Sequence, residues 1–279
     1  MSSTLVREYY TSQVRQEWRR LIRDAYHRLE LDTTLHFLEK YLPKTGLILD
    51  AGSGPGRYTL ELARRGYTLN VLDLTPTNLD FAKRQIKKAG LPEKVREFRE
   101  GSITDLSAYP SNTFDAVVCL GGPLSHVVEK ESRKKAIKEL IRVAKPGAPI
   151  FVSVMSRLSV MVVELMLFQH EIGAETHLEI RSTGNIDGSS GFTACHFFLP
   201  EELHQEFEGE SITILEMAGL EGLGSRHNQK INELAKEEKR WAAWLATHYI
   251  TCTHPAVVGL SEHMLIVVQK LPNPNSLAE

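Results

Sequence analysis

Cysteine is scarce in this sequence and long hydrophobic runs are missing, and each absence excludes a class of protein. The three cysteines, Cys119, Cys195 and Cys252, are odd in number and lie far apart in a chain of 279 residues. Such a set argues against a disulfide framework. No apolar run reaches the roughly 18 residues of a membrane span, and residues 1–8 contain no hydrophobic signal segment. We therefore expect an intracellular, cytoplasmic protein with no membrane partner.

An excess of either charge is also missing. The chain has 33 Lys and Arg against 35 Asp and Glu, which gives a formal net charge of −2. A balanced surface of this kind argues against nucleic acid or an anionic membrane as the main partner. We expect no nucleic-acid partner, and either a monomer or a homodimer.

Metal-ligand spacing is absent from the region that is richest in candidate ligands. His170, His177 and His196, with Glu175 and Cys195, contain neither a helical His-x-x-x-His pair nor a Cys-x-x-Cys pair. Because metal sites are usually built from such closely spaced ligands, the sequence predicts no metal.

Glycine, by contrast, is concentrated where the chain leaves a short apolar run. Residues 47–49 are Leu-Ile-Leu, and glycines follow at 52, 54 and 56 before a helical pattern begins near Tyr58. A strand, a glycine turn and a helix together offer free backbone N–H groups to an anion. A dinucleotide site requires Gly-x-Gly-x-x-Gly, which would place its third glycine at position 57, where the chain has Arg57. The spacing disfavours an NAD(P)-dependent oxidoreductase.

This turn resembles the S-adenosylmethionine (SAM) site of the class I methyltransferases, in which an acidic residue precedes three alternating glycines. The matching residues are Asp50, Gly52, Gly54 and Gly56. Asp73 ends the next apolar segment and matches the acidic residue that binds the ribose hydroxyls in the family. An ionised carboxylate is suited to accept hydrogen bonds from a diol. The resemblance implies SAM as cofactor and S-adenosylhomocysteine (SAH) as product.

The resemblance also implies contacts to the adenine ring. Ser102 stands where the family usually has an Asp that binds the adenine amine, and its hydroxyl can still accept that hydrogen bond. The backbone N–H of Ile103 would contact a ring nitrogen, and Leu74 would pack on the adenine face. A core position for Leu74 is the alternative.

The loop at 120–126, which follows the fourth predicted strand, is expected to contact the methionine part of SAM and the methyl acceptor. In open parallel sheets, ligands bind beyond the carboxyl ends of the strands. In the family this loop, with Leu120 and Gly121 here, brackets the methionine part, and Arg57 would reach the SAM carboxylate unless it points to solvent. Ser125 and His126 would face a small acceptor, with His126 as general base, since its pKa range suits proton removal near neutral pH. The alternative is a structural His126.

Other segments would cover this site. In resembling enzymes the N-terminal region forms a lid, and the ring of Tyr10 or Tyr26 could attract the sulfonium. Docking of this helix onto the core is the alternative. We place His196 on the substrate side as well. The loop has Leu-Gly-Gly-Pro at 120–123 and lacks the Asn/Asp-Pro-Pro-Tyr/Phe of enzymes that methylate nucleic-acid amino groups, so a nucleic-acid methyltransferase is disfavoured.

Strand and helix patterns alternate from residue 47 to 154, which predicts an α/β fold with a doubly wound, mostly parallel sheet and helices on both faces. The resemblance adds that there are seven strands and that the last one is antiparallel. An amphipathic helix at 11–30 and a second helix at 32–42 precede the sheet. The predicted division is a helical lid at 1–42, a SAM-binding core at 43–155, a substrate-side insertion at 156–210, the C-terminal part of the core at 211–270 and a disordered tail at 271–279.

The function that these patterns favour is methyl transfer from SAM to a small-molecule acceptor. Most of the catalysis would come from holding the acceptor in line with the methyl group. The alternatives that stay open are a SAM-binding protein without turnover, a nucleic-acid methyltransferase and an NAD(P)-dependent oxidoreductase.

Overall fold

The computed structural model describes residues 2–188 and 191–272 of the chain. Its strands, numbered in chain order, are β1 (Leu47–Ala51), β2 (Thr68–Asp73), β3 (Val95–Glu100), β4 (Ala116–Cys119), β5 (Pro149–Met155), β6 (Asn185–Ile186), β7 (Cys195–His196), β8 (Ile212–Gly219) and β9 (His263–Lys270). Its α-helices are α1 (Ser2–Arg20), α2 (Ala25–Tyr41), α3 (Arg57–Arg64), α4 (Pro76–Lys88), α5 (Lys130–Val143), α6 (Arg157–Leu167), α7 (Glu175–Thr183), α8 (Pro200–Gln205), α9 (Asn228–Leu234), α10 (Glu238–Thr251) and α11 (Pro255–Val258).

Seven strands form one sheet in the order β3-β2-β1-β4-β5-β9-β8. Strands β1 to β5 pair in parallel, and β9 runs antiparallel to both of its neighbours. The short strands β6 and β7 pair with each other outside this sheet. The predicted fold class is confirmed, including the single antiparallel strand at the end of the chain.

Helices cover both faces of the sheet, because its central strands are apolar on both sides. Ile48 and Leu49 are neighbours in β1 that point to opposite faces, and both are fully buried. One hydrophobic core packs α5 and α8 against the sheet, and a second packs α2, α3 and α4 against the other face. This arrangement leaves the carboxyl ends of the parallel strands open toward one edge.

The predicted helix at 11–30 is wrong in its extent, because two helices occupy this region. Helix α1 ends at Arg20, and α2 begins at Ala25 after Asp24 caps it. The Asp24 side chain accepts a hydrogen bond from the His27 backbone N–H at 3.0 Å, which satisfies one of the free donors at the start of α2. The helix predicted at 32–42 is therefore the second half of α2.

The segment expected as the insertion, 156–210, contains α6, α7, α8 and the β6–β7 pair, and the segment at 211–270 contains β8, β9 and helices α9 to α11. The predicted disordered tail lies outside the described residues from 273 onward. Across the described ranges, no helix has both the length and the hydropathy that a membrane crossing requires.

Candidate cofactor and acceptor site

A cavity of about 310 Å³ lies at the carboxyl ends of β1 to β4. The sheet order changes direction between β1 and β4, and open parallel sheets bind ligands at such a point. The loops that follow these four strands form its walls, and α1 contributes a further wall. Five segments of the chain therefore converge on one space.

The glycine turn after β1 forms one wall because it carries almost no side chains. A Cβ on Gly52 would lie 2.5 Å from the Pro123 Cγ, and its φ is +84°, so only glycine lets the loops after β1 and β4 approach this closely. Gly54 also lines the cavity, and a Cβ there would meet no atom within 4 Å among the described residues. Gly56, an expected cofactor residue, does not line the cavity. A Cβ there would lie 2.7 Å from the Ala82 Cβ, so Gly56 lets α3 pack against α4.

The two acidic residues of the motif occupy different environments. Asp73 lines the cavity with 6% of its surface exposed. It accepts hydrogen bonds from the backbone N–H groups of Gly54 at 2.7 Å and Thr75 at 2.8 Å and from Asn78 Nδ2 at 3.2 Å. These bonds hold both carboxylate oxygens of Asp73 in place at the cavity wall. Burial raises the pKa of Asp73, and these hydrogen bonds oppose the shift.

Asp50 lies outside the cavity, so its expected cofactor contact is not supported. It is 1% exposed and accepts a hydrogen bond from the Thr59 hydroxyl at 2.5 Å. Burial, together with the charge of Asp73, raises its pKa to about 7. Asp50 joins β1 to α3 and helps to hold the glycine turn in place.

The expected adenine residues do line the cavity, as do Leu120 and Gly121. A tight turn follows Ser102. The Ser102 hydroxyl accepts a hydrogen bond from the Thr104 backbone N–H at 3.2 Å and lies 2.8 Å from the Thr104 hydroxyl. Leu74 and Ile103 supply apolar surface. The backbone N–H of Gly121 donates to the Ser153 hydroxyl at 2.8 Å, which fixes the loop after β4 against β5.

The two arginines of the cavity wall differ in what they contact. Arg57, which we expected at the SAM carboxylate, donates from Nη2 to the Trp18 carbonyl at 2.6 Å, and its guanidinium lies 3.6 Å from the centroid of the Trp18 ring. It therefore docks α1 onto α3. Arg20, at the end of α1, lies beside the loop after β4, since its Nη2 is 3.7 Å from where a Gly121 Cβ would be. Arg20 lies within the predicted lid at 1–42, and no contact was predicted for its side chain.

Arg20 is held by carboxylates that leave part of its donor capacity free. Its Nε donates to Glu17 at 3.1 Å, and Nη1 and Nη2 both donate to Glu30. Because a guanidinium has five N–H groups and these bonds use three, two remain for a ligand in the cavity. Arg20 is therefore a fixed cation with unused donors.

A buried charge cluster lies behind Arg20. Glu30, Glu221 and His263 bring their ligand-type atoms within 4.8 Å of one another, close enough to hold a metal ion. Protein groups already engage these atoms: His263 Nδ1 lies 2.8 Å from Glu221, and Ser261 donates to Glu221 at 2.7 Å. Burial would lower the pKa of His263, but Glu30 and Glu221 outweigh it and raise that pKa to about 9. The cluster is thus an ion-pair network that orients Glu30 toward Arg20.

A hydrogen-bonded chain joins α1 to the insertion on the far wall. The Tyr10 hydroxyl lies 2.7 Å from His126 Nε2, and His126 Nδ1 lies 3.2 Å from the Ala194 carbonyl oxygen. Phe192 packs its ring against both Tyr9 and His126, with centroids 5.3 Å and 5.9 Å apart. Tyr10 and His126 both line the cavity, as we expected. No local pattern pointed to Phe192 or to the Tyr10–His126 pair, because their segments are more than 60 residues apart in the sequence.

Three expected acceptor-side residues lie elsewhere. The Tyr26 hydroxyl contacts Glu262 and accepts from the Arg226 backbone N–H at 2.8 Å. Ser125 is fully buried, and its hydroxyl accepts from the Met155 backbone N–H at 3.0 Å. His196 is 3% exposed and lies 2.8 Å from Asn185 Oδ1, where burial lowers its pKa to about 3. Their surroundings make them structural, which corrects our expectation.

Comparisons with known proteins agree with this geometry. Residues 48–147 match the model of the methyltransferase domain family. A probable methyltransferase from Aspergillus luteorubrus is 38% identical over 117 residues, 40% of each chain. The ubiquinone biosynthesis O-methyltransferase of Xanthomonas oryzae pv. oryzae is 32% identical over 111 residues, 39% of this chain and 43% of that protein. Norajmaline N-methyltransferase from Rauvolfia serpentina is 36% identical over 126 residues, 44% and 41% of the two chains.

The chain thus spans less than half the length of these curated relatives. Among solved structures, a SAM-dependent methyltransferase from Methanosarcina mazei superposes with a TM-score of 0.59 and 22% identity over 85% of this chain and 98% of that one. At this identity the likeness shows the fold alone. Residues 48–147 belong to the methyltransferase domain family, and the chain has the fold of a SAM-dependent methyltransferase, for which S-adenosylmethionine is the cofactor.

Proposed function

We propose that this protein transfers a methyl group from SAM to a small-molecule acceptor that binds beside Tyr10 and His126. One observation carries the proposal: the carboxylate of Asp73, the free donors of Arg20 and the Tyr10–His126 pair all line the same cavity. Asp73 and Arg20 suit a cofactor with hydroxyls and a carboxylate. The Tyr10–His126 pair suits a methyl acceptor with a polar group.

The residues present fit the chemistry of SAM. The Asp73 carboxylate lies on the cavity wall, where it can accept from a ribose hydroxyl, and Leu74 and Ile103 supply apolar surface for a flat ring. Arg20 has two N–H groups for the methionine carboxylate, a role we now assign to it in place of Arg57. Gly54 leaves room for close approach of the ligand to the backbone.

A small acceptor fits the enclosure better than a macromolecule does. Helix α1 covers the cavity, and both Arg57 and His126 bond to it, through Trp18 and Tyr10 respectively. The near-zero net charge offers no general attraction to nucleic acid. The names of two relatives, a ubiquinone biosynthesis enzyme and a norajmaline enzyme, refer to small molecules.

The contribution of the protein is mainly positional. When bound, SAM supplies an electrophilic methyl group on a sulfonium. The cavity walls would hold the acceptor close and in line, and α1, which lines the cavity, would limit the access of water to the reacting atoms. Because the sulfonium is already activated, little covalent assistance is needed.

Labelled SAM tests this proposal directly. The protein would be incubated with trideuteromethyl SAM and a panel of phenols, catechols and alkylamines, and the products analysed by mass spectrometry. We expect a labelled acceptor and an equal amount of SAH. Tight SAH binding with no label on any acceptor would instead support a SAM-binding protein without turnover.

A further inference from the structure

The hydrogen bonds of His126 determine which of its ring nitrogens carries the proton. Its Nδ1 lies 3.2 Å from the Ala194 carbonyl oxygen, which can only accept a hydrogen bond. Nδ1 must therefore carry a proton, and in a neutral imidazole Nε2 then carries none. The Tyr10 hydroxyl, 2.7 Å from Nε2, must be the donor in that bond. The two hydrogen bonds therefore run in one direction: Tyr10 donates to His126, and His126 donates to the Ala194 carbonyl.

Because of this direction, the atom in the cavity that can accept a hydrogen bond from a ligand is the Tyr10 oxygen and not a nitrogen of His126. Both nitrogens of His126 are occupied, so the ring cannot take a proton from a ligand unless Tyr10 moves away. The Tyr10 oxygen donates its own proton and keeps its lone pairs, and the described part of the chain places no other hydrogen bond on it. Tyr10 also lines the cavity, so a bound acceptor can donate to it.

We propose that Tyr10 is the residue that takes the proton of the acceptor, that His126 receives the proton of Tyr10 in the same step, and that the acceptor atom is a hydroxyl oxygen. The inference rests on the proposed function and assigns its chemistry. His126 acts through Tyr10 and is a positioning residue as well as the final base.

The step balances in atoms and charge. The acceptor oxygen forms a bond to the methyl carbon, the carbon–sulfur bond breaks, and its electron pair stays on the sulfur of SAH. The acceptor proton moves to Tyr10 Oη while the Tyr10 proton moves to His126 Nε2. The positive charge that began on the sulfonium ends on the imidazolium, whose Nδ1–H still donates to the Ala194 carbonyl.

The surroundings of the pair agree with a relay of this type. Burial raises the pKa of Tyr10 well above its usual range; Glu17 adds to the shift and Arg20 opposes it. A phenolate is therefore costly, and Tyr10 must release a proton as it takes one. Burial also lowers the pKa of His126 to about 4, against the opposing hydrogen bond to Ala194, so the ring is neutral at pH 7.

The presence of a group that takes a proton favours a hydroxyl acceptor. A hydroxyl oxygen that gains a methyl group must lose its proton to give a neutral ether, so a hydroxyl acceptor needs such a group. A neutral amine attacks through its lone pair, and the alkylammonium that it becomes is stable with its proton near neutral pH, so an amine acceptor has no such need. The relay therefore suits hydroxyl acceptors. The other charged side chains on the cavity wall near this end are Glu17 and Arg20 on α1 and Glu129 after the loop.

The first test needs no acceptor. Nitrogen NMR of the SAH complex at pH 7, with His126 assigned by loss of its signals in His126→Gln, reports the tautomer of the ring. We expect a protonated Nδ1, and an Nε2 shift that changes in Tyr10→Phe but not in Tyr9→Phe. Tyr9 is a matched control because it is adjacent on α1 and its hydroxyl forms no hydrogen bond within residues 2–188 and 191–272. A proton on Nε2 would overturn the relay.

The second test uses tyramine, which carries a phenol and an alkylamine in one molecule. We expect the label from trideuteromethyl SAM on oxygen, and a kcat about 100-fold lower in Tyr10→Phe and His126→Gln, with SAH affinity within threefold of wild type. Tyr9→Phe should keep kcat within threefold. Label on nitrogen, or an unchanged kcat in Tyr10→Phe, would overturn the proposal. SAH affinity is measured on the same samples. If the proposed function is wrong, SAH does not bind; if only the role of Tyr10 is wrong, SAH binds and kcat is unchanged in Tyr10→Phe.

Discussion

The two sides of the cavity are built in different ways. The cofactor side, which we define as the loops after β1, β2 and β3, is held by backbone groups: Gly52 approaches Pro123, and Asp73 binds the backbone N–H groups of Gly54 and Thr75. The acceptor side, which we define as Tyr10, His126 and Ala194, is held by two hydrogen bonds between three distant segments.

This difference predicts different consequences of substitution. On the cofactor side a new side chain forces the loops apart, because backbone cannot rotate away as a flexible side chain can. On the acceptor side a substitution removes one contact and leaves the walls in place. Cofactor-side variants should lose SAM affinity, and acceptor-side variants should lose turnover. The predictions below test the cofactor side of this contrast and the charge cluster that supports it.

The largest effect is expected for Gly52→Ala. The added Cβ would lie 2.5 Å from Pro123 Cγ at a φ of +84°, so the two loops must separate. We expect SAH affinity to fall more than about 100-fold, roughly 3 kcal/mol, in calorimetric titrations. Gly66→Ala is the matched control: its φ is +94° and its Cβ would meet no atom within 4 Å among the described residues. It should lower stability by about 1 kcal/mol and leave SAH affinity unchanged. Equal losses of affinity in the two variants would contradict the close approach.

The charge cluster behind Arg20 predicts a pH-dependent stability. Glu30 and Glu221 raise the pKa of His263 to about 9 against the effect of burial. Its stabilisation is therefore complete below about pH 6.5, the unfolded value, and is lost as the pH rises through 9. The difference in unfolding free energy between wild type and His263→Gln should shrink by about 3 kcal/mol from pH 6 to pH 10, as measured by urea denaturation. The exposed His170, changed to Gln, provides a control. A difference that stays constant with pH would show that His263 is not charged in the folded protein.

Asp73→Ala should weaken SAM binding by roughly 1.5–3 kcal/mol, about 10- to 100-fold, because it removes a charged hydrogen-bond acceptor from the cavity wall. The melting temperature should fall as well, because the backbone N–H groups of Gly54 and Thr75 lose their acceptor. Asp50→Asn is its counterpart, because an amide oxygen still accepts from Thr59. That variant should bind SAM as wild type does. A greater loss of affinity in Asp50→Asn would restore the cofactor contact that the motif had implied.

Arg20→Gln should lower SAM affinity by about tenfold, the smallest of these effects. The reason is that two charged donors leave the cavity. Its melting temperature should also fall, since Glu30 loses its partner in the interior. Arg57→Gln should loosen the docking of α1 on Trp18 and change SAM affinity less than threefold. If Arg57→Gln proves the more damaging to SAM affinity, the carboxylate contact expected from the sequence is correct and our reassignment is wrong.

The part of the site that could be predicted from the sequence is the part that depends on local backbone geometry. Gly52, Gly54 and Asp73 follow strands at fixed offsets, so the resemblance to the class I methyltransferases could assign them to one site, and all three line the cavity. The same resemblance gave cofactor contacts to Asp50 and Gly56, which lie outside the cavity, because a motif does not show which of its residues pack inward.

The remaining residues depend on tertiary contacts that no local pattern records. Tyr10 and Tyr26 were equivalent candidates in the sequence, and only the turn at 21–24 sends one to the cavity and the other to Glu262. Asp24, a residue type that favours helix N-caps, could have indicated this turn. Nothing in the sequence near Arg20 shows that its side chain, rather than that of Arg19 or Arg23, lines the cavity.

Calorimetric titration of the purified protein with SAH, NAD and NADP tests the central claim most directly. We expect SAH to bind and neither dinucleotide to bind, with SAH affinity reduced in Asp73→Ala. Held at 100 times its dissociation constant, SAH should stabilise the protein by about 2.7 kcal/mol and raise its melting temperature. Binding of NAD or NADP without binding of SAH would contradict the account.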